Sequence, residues 1–178
     1  EAEIIKTLDP SKIKIVISKD PGSLLRNKIE GRLHNVNRII KSTYEGLKVC
    51  SKLFVVSLRA DLVFESNKII DVYNRFSKGK RLLVLNQTTV DPTRGPKLLY
   101  HCSDWLIMGK TNILKKYFSI KPMPDSYCHW YERNTKPEDK IDKGNLSRFM
   151  AEDYITANGV RNLKYQIYHE YYLDFNYG

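Results

Sequence analysis

Six side chains in this sequence have the types and spacing to handle a charged, hydroxyl-bearing ligand: Asn37, Arg38, Arg59, Asp61, Asp104 and Glu152. Arg59 and Asp61 follow the apolar run Leu53-Phe54-Val55-Val56-Ser57-Leu58, which reads as a buried strand. A strand ending in Arg-x-Asp delivers a cation and a carboxylate to one sheet edge. In open α/β sheets that edge is where ligands bind. Asp61 suits a divalent metal or a sugar hydroxyl, and Arg59 suits a phosphate; the plainer alternative is an i,i+2 ion pair closing the strand. Asp104 stands just before Trp105-Leu106-Ile107, where a carboxylate is costly to bury without a partner. Glu152 and Asp153 are adjacent acids, one of them a candidate general base if the other holds a cation or metal. Arg148 and Glu152 also have the i,i+4 spacing of a surface ion pair. Asn37 and Arg38 on a predicted helix face offer an amide and a guanidinium to a nucleotide, or make a solvated polar face. His101, three residues before Asp104, has metal-ligand chemistry but reads as a hydrogen-bonded bystander.

Alternating β and α signals must position these groups. Lys12–Ser18 reads as a strand, closed by the Asp20-Pro21-Gly22 turn and followed by a basic loop from Leu24 to about Gly31. Val36, Ile39, Ile40, Tyr44, Leu47 and Cys50 keep helical spacing and predict a helix over 34–51. A second helix is predicted around 69–76, a strand over 81–86, a strand at 105–108 and a short helix over 112–118. A long loop is expected at 88–96 and a mobile segment over 121–145. A last helix, 148–157, is expected to be capped by Ser147 and stopped by Asn158-Gly159, before a Tyr-rich tail over 160–178. The alternation predicts βαβ units and a mainly parallel sheet flanked by helices, as one domain over residues 1–178.

The 178 residues suffice for one full-sized core, and the net charge of +10 implies anionic partners: nucleic acid, nucleotide phosphates or a membrane surface. Three widely spaced cysteines indicate reduced thiols in a cytoplasmic setting, not a disulfide framework or zinc site. No apolar run has the roughly 20 residues of a membrane span, and no signal peptide is evident. The chain starts at Glu1 without Met, as a fragment would. Neither a P-loop, a G-x-G-x-x-G turn, a G-x-S-x-G elbow nor a nucleic-acid-reading motif is present.

The order of the pieces is more specific than any one of them. Asp20-Pro21-Gly22, the stretch from Asn35 to Leu47, Leu58-Arg59-Ala60-Asp61, the stretch from His101 to Gly109, and Arg148 to Tyr154 follow in turn. Over about residues 1–157 this arrangement resembles the WavE family of lipopolysaccharide-synthesis proteins, sugar transferases with a GT-A-like, nucleotide-sugar-binding α/β domain. The resemblance implies a Rossmann-type fold and a glycosyltransferase working on a nucleotide-sugar donor and a glycan or lipid-linked acceptor. The basic excess suits docking on the anionic inner membrane, so a cytoplasmic location with peripheral membrane contact is expected, and its scatter along the chain argues against a nucleic-acid partner. Arg59-Ala60-Asp61 occupies the place of a D-x-D motif for Mn²⁺ or Mg²⁺, so Asp61 is the implied metal ligand. The first acid is replaced by Arg59, a cation that can itself neutralise a diphosphate. Asn37 and Arg38 match the donor-side Asn-Arg pair, Asp104 an Asp-Trp pair near sugar or acceptor, and Glu152 the general base. Two other classes fit the composition: a basic nucleic-acid-binding domain, and an inactive scaffold of the same fold.

Overall fold

A computed structural model describes residues 11–27, 32–77, 81–85, 101–130 and 149–164. The first element is a small hairpin, β1 (Leu24–Asn27) with β2 (Arg32–His34), paired antiparallel where a basic loop is expected from sequence. It leads into α1 (Val36–Val49), whose Val36, Ile40 and Leu47 fall on one buried face at helical spacing. Lys48 in its last turn complements the negative end of the helix dipole, and the backbone turns extended at Cys50.

β3 (Phe54–Leu58) follows, then α2 (Lys68–Ser77) and the two-residue β4 (Leu83–Val84). β5 (Leu106–Lys110) runs directly into α3 (Thr111–Tyr117), followed by the short α4 (Asp125–Cys128) and by α5 (Ala151–Leu163). β5 is the central strand of the order β3-β5-β4, which explains why Leu106, Ile107, Met108 and Gly109 are all buried. Ile107 packs with Val55, Val84 and the apolar faces of α1, α3 and α5. Leu106 and Met108 point the other way, onto Val56, Leu83 and Tyr73 of α2. The sheet is thus the middle of three layers, with helices on both faces.

Every strand pairing among the described residues is antiparallel, which overturns the expected mainly parallel, Rossmann-type sheet of a GT-A-like domain. The physical reason lies in β5. β3 and β4 point the same way, as a β-α-β crossover requires, but β5 inserts between them running opposite to both. Alternation of strand and helix in sequence does not specify which strands become neighbours.

Two local expectations also change. Lys12–Ser18 has the alternation of a strand, yet the described residues give it no strand partner, and Ile17 is 86% exposed. Alternation supplies an apolar face; only a paired neighbour satisfies the backbone. Asn158-Gly159 does not stop α5, which continues to Leu163 and ends at Lys164 in the left-handed conformation (φ 56°). Gly159 instead lets α5 approach α3: a Cβ there would lie 2.4 Å from the Tyr117 ring. Residues 121–130 carry buried Met123, Cys128 and His129, while the remainder of 121–145, the 88–96 loop, Ser147, Arg148 and the tail beyond Lys164 lie outside the described residues.

Candidate functional site

The exit of β3 is the starting point. The Arg59 amide donates to the Trp105 carbonyl at 3.0 Å, extending the β3–β5 ladder by one pair. That pairing sets the two side chains together, with the Arg59 guanidinium 4.6 Å from the centre of the Trp105 ring. A turn then brings Leu62 N–H to the Arg59 carbonyl at 3.1 Å and swings Asp61 back. Arg59 donates to both oxygens of Asp61, at 2.9 Å from Nε and 2.6 Å from Nη2. The ion pair available from the tetrapeptide alone is therefore formed, on the surface. It holds the Asp61 carboxyl below the usual aspartate range and raises Arg59.

Because β5 is antiparallel to β3, the entry of β5 lies beside Arg59. Asp104 sits there, half-buried, and burial pushes its carboxyl up from the usual aspartate range. The negative charge of Glu152 adds to the rise, while Arg59 and His101 oppose it. Glu152 belongs to the first turn of α5, is half-buried, and with Asp104 also favours the charged form of Arg59. Arg59, Asp61, Asp104 and Glu152 thus share one edge, with Trp105 as its aromatic floor.

Behind this edge lies a pair that sequence spacing does not reveal. The buried His101 ring nitrogen Nδ1 lies 2.8 Å from Asp153 Oδ1. The second Asp153 oxygen accepts from the Met150 N–H at 3.2 Å, satisfying the start of α5. One carboxylate therefore fixes both the helix entry and the segment carrying Asp104. The sequence signal for it is an acid at the third position of α5; its partner is 52 residues away. Cys102, beside His101, is half-buried, and burial pushes its thiol up.

Asn37 and Arg38 have other partners. Asn37 is buried and clamps the Met123 backbone, donating to its carbonyl at 3.1 Å and accepting from its N–H at 2.7 Å. Arg38 pairs with Asp20 through Nε at 2.9 Å and Nη2 at 2.7 Å, holding that carboxyl down at about 2. A groove of about 390 Å³ opens between α1 and residues 118–122, and Asn37 lines it with Ile40, Lys41 and Tyr44. None of Arg59, Asp61, Asp104 or Glu152 lines that groove.

At Asp61 the described residues present a single carboxylate already paired with Arg59. Both carboxylate oxygens face a guanidinium, and the described residues contain no group of three or more His, Cys, Asp or Glu able to hold a metal. What the edge offers chemically is a cation on an aromatic platform beside a carboxylate of raised proton affinity.

Fold and edge together define a three-layer α/β domain with Arg59, Asp61 and Asp104 gathered at one end of its sheet. A family model described as WavE lipopolysaccharide synthesis matches residues 3–170. The chain belongs to that family, whose description gives it a role in lipopolysaccharide synthesis. No curated protein and no solved structure matches the chain significantly. Among the described residues no helix is long and apolar enough to cross a membrane.

Proposed function

We propose that this protein is a glycosyltransferase of lipopolysaccharide synthesis, moving a sugar from a nucleotide-sugar donor to a glycan or lipid-linked acceptor. The observation that carries this reading is geometric: the Arg59–Trp105 backbone bond sets Arg59 beside Asp104 at the entry of β5, and the His101–Asp153 contact ties the first turn of α5, with Glu152, to the same end of the sheet. In such a transfer an acceptor hydroxyl oxygen bonds to the anomeric carbon as the bond from that carbon to the diphosphate breaks. Charge accumulates on the departing diphosphate, and the hydroxyl proton needs an acceptor. Arg59 supplies the positive charge without a metal ion, and Asp104 takes the proton. Burial first, and the charge of Glu152 after it, raise the proton affinity of Asp104 and move it toward the working range of a general base. The net charge of +10 supports contact with an anionic membrane surface on the cytoplasmic side, where a lipid-linked acceptor is presented.

A thermal-shift screen of UDP-, GDP- and CMP-sugars, with and without Mn²⁺, tests the donor class. A true donor raises the melting temperature with dose, by RT ln(1 + [L]/Kd) in free energy. Asp104→Asn and Glu152→Gln should keep donor binding and lower transfer, Asp104→Asn by roughly 100-fold or more. Transfer that survives both substitutions removes these residues from the mechanism. If no sugar nucleotide stabilises the protein under any condition, it is not a transferase of this kind.

A further inference from the structure

The two-point contact between Arg59 and Asp61 has the form in which an arginine binds a phosphate: two parallel N–H···O bonds to two oxygens of one anion. The guanidinium plane is held from a second direction by Trp105, so the donors keep their aim when the anion changes. Asp61 is exposed and reaches Arg59 through a tight turn, so it can leave without disturbing the core. Arg59 therefore has an internal anion in the seat that an external one would use.

We propose that Asp61 is a built-in competitor for the anion site of Arg59, which a diphosphate-bearing ligand must displace to bind. The idea rests on the sugar-nucleotide reading above and assigns Asp61 the role opposite to that of a metal ligand. The carboxylate sets a threshold that applies to every anion, and ligands too weak to displace it are turned away. A diphosphate has more charge and more acceptor oxygens than a carboxylate, so it is the chemistry best able to win the exchange. Removing the competitor frees the whole population of Arg59. Exposed ion pairs hold their closed form by a ratio of only a few to one. An apparent Kd scales inversely with the open fraction. Loss of like-charge repulsion from Asp61 acts in the same direction, so Asp61→Asn should tighten binding about threefold to tenfold.

The test is calorimetric titration of the full chain with inorganic pyrophosphate, with UDP, and with vesicles carrying a polyprenyl diphosphate, in EDTA and again in Mn²⁺. Asp61→Asn should tighten at least one of these in EDTA by the stated factor, and Arg59→Gln should abolish the gain. A gain for UDP assigns the site to the nucleotide carrier; a gain confined to vesicles assigns it to the lipid carrier. Weaker binding by Asp61→Asn, or binding that needs Mn²⁺ and Asp61 together, overturns the competitor role and leaves the transferase reading standing. Unchanged affinity overturns it as well. If neither protein binds any diphosphate, the competitor and the sugar-nucleotide reading fail together.

Discussion

Gly159→Ala should destabilise the fold although it places a better helix former inside a helix. An added Cβ would meet Tyr117 Cε2 at 2.4 Å, Cδ2 at 2.5 Å and Cζ at 2.7 Å. Ordinary carbon contacts lie near 3.5–4.0 Å, so three ring atoms overlap it by about 1 Å or more. The ring has little room to retreat: Tyr117 is 4% exposed, stands edge-on to Phe118 at 5.2 Å, and bonds Thr156 Oγ1 through its hydroxyl. Overpacking of this kind costs roughly 1–3 kcal/mol. Displacing the ring puts a further ~1 kcal/mol of hydrogen bonding at risk. The gain in helix propensity offsets about 1 kcal/mol. The net loss is about 2 kcal/mol, or roughly 4–8 °C in Tm for a chain of this size. Gly46→Ala is the matched control, since Gly46 also lies inside a helix and its Cβ would have nothing within 4 Å. It should gain up to ~1 kcal/mol. Urea unfolding measures both, read as a change in midpoint at constant slope. Equal shifts for the two variants would refute the close approach of α3 and α5. In a Tyr117→Leu background the Gly159→Ala penalty should shrink, because the two sites are coupled through one contact.

Further outcomes follow from the described contacts of Asp104, Asn37 and Arg38. Asp104 has a folded-state pKa above its unfolded value, so the native state holds the proton more tightly. Stability should then fall as pH rises from the ordinary aspartate range through the raised native value. Asp104→Asn should abolish that fall and be more stable than wild type at neutral pH while losing transfer, as urea midpoints from pH 4 to 7 would record. Asn37→Ala leaves a buried N–H and C=O of Met123 unsatisfied and should cost about 2–3 kcal/mol by thermal or urea unfolding. Arg38→Gln, which removes only exposed contacts with Asp20 and the Asn35 side chain, should leave stability nearly unchanged.

Local elements were legible in the sequence because local periodicity produces them. The spacing of Val36, Ile40 and Leu47 defines α1 to within two residues, and the apolar runs define β3 and β5. Partnership was not legible. Nothing in Leu106-Ile107-Met108 says that it enters between two strands formed earlier in the chain, and nothing in Gly159 separates a helix stop from a helix contact. The same division holds for the site. Arg59 and Asp61 are neighbours in sequence, so their pair could be foreseen. Asn37 reads as a polar face residue, yet its amide is taken by a backbone 86 residues away. His101 and Asp153 meet only because β5 and α5 pack at the same end of the sheet.

The corrected topology is also what brings the candidate site together. Strand ends are chemically distinct in this chain: β5 is preceded by Asp104-Trp105 and followed directly by the Thr111 start of α3. In a sheet with β5 parallel to β3, the exit of β5 would stand beside Arg59, and Asp104 would lie at the far end. At ~3.3 Å per residue, the five residues of β5 would separate them by about 17 Å. Across that distance in water two charges interact weakly, and no single ligand phosphate would span them. With β5 reversed, the Arg59–Trp105 backbone bond aligns the cation with the entry of the strand, and Asp104 is the next residue along. The antiparallel insertion of β5 is therefore the feature that turns two separate sequence signals, Arg59-x-Asp61 and Asp104-Trp105, into the one edge on which the proposed transfer chemistry rests.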